Sequence, residues 1–242
     1  MSNILVNIKG LDSKEFPKGV TPLQIMKDIK GVSKDSIICK IDGELKDLSS
    51  ALKKDCELQF MDAKSKDGHS VLLHSTAHLM AQAVKRLFPK TKVTIGPYLE
   101  NRFYYDFDVE SPFTEDDLLK IENEMIKISE ENHEITHEVK SRDEALTYFE
   151  KNKENYKVEI INDLDTDEIL KVYSQGEFTD LCRGPHVQST GQIKHFKLLS
   201  SSAAYWRGDE KNQTLQRVYG TSFQNGKDLK KYLLMLEEQK KR

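Results

Sequence analysis

The chain has 242 residues, 37% of them apolar and 32% charged, enough for one large domain or two modest ones. Its net charge is −3, divided as zero over residues 1–62, −6 over 63–225 and +3 over 226–242. A protein that grips nucleic acid over a broad surface is usually basic, so a stand-alone polyanion clamp is disfavoured. The longest apolar run, Tyr232 to Leu236, is five residues, far short of the ~20 that span a bilayer.

Ile4, Val6 and Ile8 alternate with polar neighbours, which is strand periodicity. A second short strand fits Lys14 to Phe16, after the turn at Gly10-Leu11-Asp12. Thr21 caps a helix with Pro22 at its first position, and Ile25, Met26 and Ile29 line one face of it. Ile37, Ile38, Cys39 and Ile41 form a strand, Asp42-Gly43 gives a hairpin turn, and Leu58 to Met61 closes the unit. The order ββαββ over residues 1–62 predicts a small ubiquitin-like β-grasp domain. The polar stretch Asp62 to Gly68 reads as a linker.

The second unit, residues 63–225, opens with a helix from His69 to Phe88 that stops at Pro89. Strands follow at Lys92–Ile95 and Phe103–Val109. In the latter, Phe103, Tyr105, Phe107 and Val109 share one face, and Tyr104, Asp106 and Asp108 the other. Capping boxes start helices at Thr114 (with Asp117) and at Ser141 (with Glu144). Further strands fit Lys157–Ile161, Ile193–Leu199 and Leu215–Tyr219, so the class is α+β with an antiparallel sheet. Residues 226–242 form a linker helix with Leu229, Leu233 and Leu236 on one side; its abrupt Lys240-Lys241-Arg242 ending reads as the entry to a further domain. His133 and His137 are expected at the surface.

Two pairs of residues point to chemistry. His74 and His78 stand at i and i+4, nearly opposite the helix face formed by Leu73, Met80, Ala83, Val84 and Leu87. They therefore face solvent or pack beneath another element. Cys182-Arg183-Gly184-Pro185-His186 presents a thiol and an imidazole on a tight loop, because Gly-Pro disfavours a regular helix. Either pair alone is more often structural than functional. Together they offer three imidazoles and one thiol, which suits a zinc site or a metal-free pocket that positions water and a carbonyl. Spacing does not separate the two. Asp180 can orient an imidazole or act as a base, Lys157 can meet an anion if it points inward, and Tyr104 can stack on a nucleobase. The odd, widely spaced cysteines Cys39, Cys56 and Cys182 argue against a disulfide framework and for a cytoplasmic location.

His74-Ser-Thr-Ala-His78, Ile95-Gly96-Pro97, Phe103-Tyr104-Tyr105-Asp106, Tyr156-Lys157-Val158, Asp180-Leu-Cys182-Arg183-Gly184-Pro185-His186 and Ala204-Tyr205-Trp206-Arg207-Gly208-Asp209 occur in the order in which they stand in bacterial threonyl-tRNA synthetases. The chain resembles the N-terminal region of that family. The resemblance implies a TGS domain (1–62), a tRNA editing domain (63–225) and a helix leading to a class II catalytic core not contained here. It implies an aminoacyl-tRNA deacylase that hydrolyses the ester of seryl-tRNA(Thr), with His74, His78, Lys157, Asp180, Cys182 and His186 as catalytic residues. Tyr104, Gly96 and Arg183 would bind substrate. No metal or cofactor is expected for editing; ATP and zinc would belong to the absent core, as would the homodimer contacts. The competing expectations are a zinc-dependent hydrolase and a non-catalytic RNA-binding module.

Overall fold

The computed structural model describes residues 2–242. The first unit is a five-stranded sheet in the order β2-β1-β5-β3-β4, built from β1 (Asn3–Ile8), β2 (Lys14–Pro17), β3 (Ile38–Ile41), β4 (Glu44–Lys46) and β5 (Cys56–Met61). The centre of the sheet is the parallel pair β1 and β5; the other pairings are antiparallel. Helix α1 (Pro22–Asp28) starts with the expected cap, the Thr21 hydroxyl accepting the Gln24 N–H while the Gln24 side chain accepts the Thr21 N–H. Ile25 and Met26 of α1 pack on Ile4, Val6, Ile8 and Leu58 of the sheet. The order is ββαβββ, one strand more than expected. The extra strand, β4, is the second arm of the Asp42-Gly43 hairpin, and its three residues are too few to show a period.

The linker is shorter than the polar composition suggests. Ser65 caps α2 (Lys66–Leu87), so Lys66 to Gly68 are helical. The two units share an apolar cluster: Ile37, Ile38, Met61 and Ala63 pack with Leu72, Leu73 and Met80 of α2. Lys40 and Asp67 form an ion pair of 3.0 Å at the same seam.

Against α2 lies an antiparallel sheet in the order β12-β13-β8-β6, from β6 (Lys92–Val93), β8 (Arg102–Asp108), β12 (His195–Tyr205) and β13 (Thr214–Phe223). The short β7 (Tyr98–Leu99) hairpins onto β8. Phe103, Tyr105 and Phe107 are fully buried, as the alternation in β8 predicts. Helix α3 (Glu115–Glu131), with the expected Thr114–Asp117 box, covers α2 with Ile121, Met125 and Ile128. A second sheet, β11-β10-β9, contains β9 (Thr136–Lys140), β10 (Leu170–Gln175) and β11 (Phe178–Leu181). It packs with α4 (Arg142–Lys151) and α5 (Asn155–Asp163) through Phe149, Ile161, Leu170 and Val172. The C-terminal helix α6 (Gly226–Lys240) has no buried residue.

Lys157 to Ile161 is helical in α5, not a strand. The Val158, Ile160 and Ile161 cluster imitates a strand because short apolar runs carry both periods; Tyr156, Lys157 and Ile161 are the buried positions, which is helical spacing. His133 and His137 are partly buried rather than exposed, the first beside Glu131 and the second against Tyr173. No helix among the described residues is long and apolar enough to cross a membrane.

Gly220 faces the Phe103 ring so closely that a Cβ would lie 2.3 Å from it. Gly220→Ala is expected to destabilise the protein by about 1–3 kcal/mol through overpacking, read as a lower urea midpoint at unchanged slope. An unchanged midpoint contradicts this packing.

Candidate functional site

Helix α2 is buried around nearly its whole circumference from Val71 to Val84. Its histidine side packs beneath the loop that follows β11, the second of the two placements open to it. His74 and His78, one turn apart, have ring centroids separated by 5.1 Å. The loop brings the His186 ring within 4.7 Å of His74 and 4.3 Å of His78. Cys182 Sγ is 3.1 Å from His186 Nε2 and 3.6 Å from His74 Nε2. One donor atom from each of these four residues lies within 4.8 Å of all the others.

The loop owes its shape to specific supports. Gly184 has φ +70°, a region costly for other residues, and a Cβ there would lie 1.9 Å from the Tyr173 hydroxyl oxygen. Ser75, fully buried on α2, accepts the Val187 N–H at 3.1 Å and is hydrogen-bonded to His186 Nδ1 at 2.8 Å.

Beneath the imidazoles is a buried charged layer. Lys157 from α5 and Asp180 from β11 are 2% and 1% exposed and form an ion pair, with Nζ 2.5 Å from Oδ1. Lys157 also donates to the Thr94 carbonyl (2.5 Å) and the Tyr105 hydroxyl (3.2 Å), while Asp180 Oδ1 accepts no hydrogen bond and faces the ammonium as its ion-pair partner alone. Tyr105 in turn donates to Asp180 Oδ2 at 2.8 Å, and His78 Nε2 stands 3.4 Å from the same oxygen. A buried carboxylate and ammonium persist only when paired and hydrogen-bonded in this way.

Burial dominates the proton equilibria. It lowers the His74 pKa to about 4 and holds His78 and His186 well below the ordinary imidazole value, with the Lys157 cation adding to the effect on His74 and His78. It raises the Cys182 thiol to about 12, partly offset by the Gly184 N–H bond to sulfur. At neutral pH the site therefore presents three neutral imidazoles and a protonated thiol.

His74, His78, Lys157, Asp180, Cys182 and His186 thus come together. The other three expected residues stand apart from the donor cluster. Tyr104 points to the opposite face of β8, where the Arg217 guanidinium covers its ring at 4.2 Å. Gly96 packs against the Tyr105 ring, and a Cβ would come within 2.2 Å of it. The Arg183 side chain is 80% exposed and pairs with Glu168. The residues that sequence reading missed are Ser75, Tyr173 and the hydroxyl of Tyr105. For Tyr105 a signal existed, since a phenol on a fully apolar strand face must find a buried partner.

Residues 170–219, from β10 to β13, match the family described as "Threonyl and Alanyl tRNA synthetase second additional domain". The chain as a whole is similar to proteins named threonine–tRNA ligase. It is 50% identical over 230 residues to that of Symbiobacterium thermophilum, covering 95% of this chain and 35% of the relative. It is 51% identical over 243 aligned residues to that of Pelobacter propionicus, covering 100% of this chain and 38% of the relative. For Pelagibacter ubique the figures are 48%, 98% and 38%. The chain spans a little over a third of the length of these curated relatives.

The imidazole shifts set the acid stability. A histidine with a folded pKa of about 4 and an ordinary value of 6.5 binds more protons when unfolded between those limits, so its stabilising effect is complete above 6.5 and is lost as pH falls toward 4. The urea midpoint is expected to fall between pH 6.5 and pH 5, and His78→Gln to flatten that slope. A wild-type midpoint that is level across this window contradicts the buried neutral imidazoles.

Proposed function

We propose that this chain is the editing portion of a threonyl-tRNA synthetase and that it hydrolyses the ester of seryl-tRNA(Thr). The observation that carries the reading is the convergence of three imidazoles and a thiol from α2 and the Cys182–His186 loop, with one donor atom from each within 4.8 Å of all the others. The chemistry explains the need. Serine is threonine without one methyl, and a pocket shaped for threonine rejects serine by only about 1–3 kcal/mol. A second site that excludes the larger amino acid supplies the missing discrimination.

In this reading water attacks the ester carbonyl, and a neutral imidazole of the cluster takes its proton. Asp180 orients His78, and Lys157, buried and paired with Asp180, acts by its field: a fixed positive charge beneath the imidazoles stabilises the developing oxyanion. The proton returns to the departing ribose oxygen. No metal is required. The parallel β1/β5 pair at the centre of the first sheet supports a β-grasp TGS unit for residues 1–62. Aminoacylation, with its ATP, its zinc and the homodimer contacts, belongs to the remaining part of the longer relatives, and the setting is the cytoplasm.

One observation favours a second reading. The three nitrogens and one sulfur are zinc's preferred donors, and neutral imidazoles are ready to bind. A zinc-dependent aminoacyl-tRNA hydrolase would lose activity on chelation.

Single-turnover deacylation of seryl- and threonyl-tRNA(Thr), with and without chelator, tests both readings. The expected result is hydrolysis of the seryl ester alone, unaffected by chelator, and reduced about 100-fold or more by His78→Ala or Cys182→Ala. Loss of activity in chelator moves the assignment to the zinc enzyme. Hydrolysis of neither ester, or variants equal to wild type, overturns it. The acidic charge of residues 63–225 further predicts weak tRNA affinity, with a dissociation constant that rises only shallowly with salt.

A further inference from the structure

We propose that Asp47, in the first unit, is a positioning residue for the His74, His78, Cys182 and His186 site, so that the small N-terminal sheet forms part of the hydrolytic apparatus. The inference rests on the reading of that site as hydrolytic, but the contact itself is independent of it. Asp47 Oδ1 accepts the backbone N–H of His186 at 2.7 Å, and Oδ2 accepts the Tyr173 hydroxyl at 2.7 Å. The residue is 6% exposed and reaches across 139 positions of sequence to His186. A buried carboxylate with one oxygen committed to the His186 loop and the other to Tyr173 of β10, both in the second unit, has a holding role.

The two bonds act on the same loop from two sides. The first fixes the backbone of His186 directly. The second fixes Tyr173, whose ring meets the His186 ring edge-on at 4.5 Å and whose hydroxyl occupies the space that Gly184 leaves free. His137 Nδ1 approaches the same carboxylate at 3.6 Å from β9, and its ring lies 5.1 Å from that of Tyr173. Removing the carboxylate would release the His186 N–H and the Tyr173 hydroxyl together, and the imidazole would lose its lateral stop.

The first unit holds Asp47 rigidly. The residue follows β4, whose register is set by Cys39↔Lys46. Its carbonyl accepts the Ser50 N–H at 3.0 Å. The next residue, Leu48, is buried in the first unit's own core and its carbonyl accepts the Leu23 N–H at 2.9 Å. That core is in turn fused to α2 through Ile37, Ile38 and Met61. Asp47 is thus anchored on the body that also carries His74 and His78, and it locks the loop carrying Cys182 and His186 onto that body.

Asp47→Ala and Asp47→Asn separate positioning from bulk stability. Asparagine keeps an oxygen for the His186 N–H, and its amide can donate to the Tyr173 hydroxyl; alanine offers neither. In single-turnover deacylation of seryl-tRNA(Thr), Asp47→Ala is expected to lower the rate at saturation about tenfold or more, with the half-saturating tRNA concentration within about twofold of wild type. Asp47→Asn is expected to recover most of that loss, and Tyr173→Phe to fall between. Nitrogen-15 resonances of the His186 imidazole should shift in Asp47→Ala and return toward wild type in Asp47→Asn. Unchanged His186 resonances in Asp47→Ala, or equal rate losses in the two Asp47 variants, overturn the proposal. Should Asp47→Ala fail to fold, Tyr173→Phe and Asp47→Asn carry the same comparison. If the wild-type chain hydrolyses no ester, the hydrolytic reading fails, and the imidazole resonances still decide whether Asp47 holds His186.

Discussion

The buried pair between Lys157 and Asp180 is the constraint on which the site is built. A buried ammonium or carboxylate is costly unless nearly every lone pair and proton is engaged. Here the requirement recruits four elements at once: α5 supplies Lys157, β11 supplies Asp180, β8 supplies the Tyr105 hydroxyl, and the segment after β6 supplies the Thr94 carbonyl. Displacing Lys157 or Asp180 would leave an uncompensated charge in the interior, and displacing Tyr105 or Thr94 a charged group short of a hydrogen bond. The pair therefore fixes where the second sheet stands against the first, and with it where the loop after β11 meets α2. The same charges act on the imidazoles above. Asp180 is close enough to His78 to orient its ring, while the Lys157 cation opposes protonation of both helix histidines.

This arrangement explains why the helix that carries His74 and His78 has so weak an amphipathic pattern. A surface helix pairs one apolar stripe with one polar face. In α2 the polar face is also buried, because Ser75, His78 and Gln82 each find partners on the β10, β11 and loop segments packed over them. The helix is an interior element whose polar side forms the floor of the site. That is why two histidines placed away from an apolar stripe did not end up in water.

Much of this was legible in the sequence where the signal was local. The Thr21 cap, the capping boxes at Thr114 and Ser141, the Asp42-Gly43 hairpin and the alternation along β8 each depend on residues within a few positions of one another, and they hold in the structure. The donor set was legible too, since HxxxH and CxxxH fix pairs by local geometry and few folds leave such pairs apart. The failures share one cause. Lys157 was assigned to a strand because its segment is short and apolar on both periods, and only packing against β6 and β10 decides for the helix. Tyr173 and Asp47 carry no local mark at all. The contacts of Asp47 join segments separated by more than a hundred residues, and those of Tyr173 with Gly184 and His186 depend on how the loop after β11 turns back.

The chemistry that results is defined more by what it lacks than by its charge. A cluster of neutral imidazoles, a protonated thiol and an internally compensated ion pair offers little long-range attraction to a polyanion, and the net acidic charge of residues 63–225 offers less. A site of this kind selects at short range. It discriminates by the size of the group that enters and by the hydrogen bonds it can complete, while delivery of a large charged ligand must rest on surfaces other than its own. Neutral donors also avoid a penalty that charged ones would incur. Burial has already set their protonation, so in the proposed reading a small ester meets neutral groups at neutral pH.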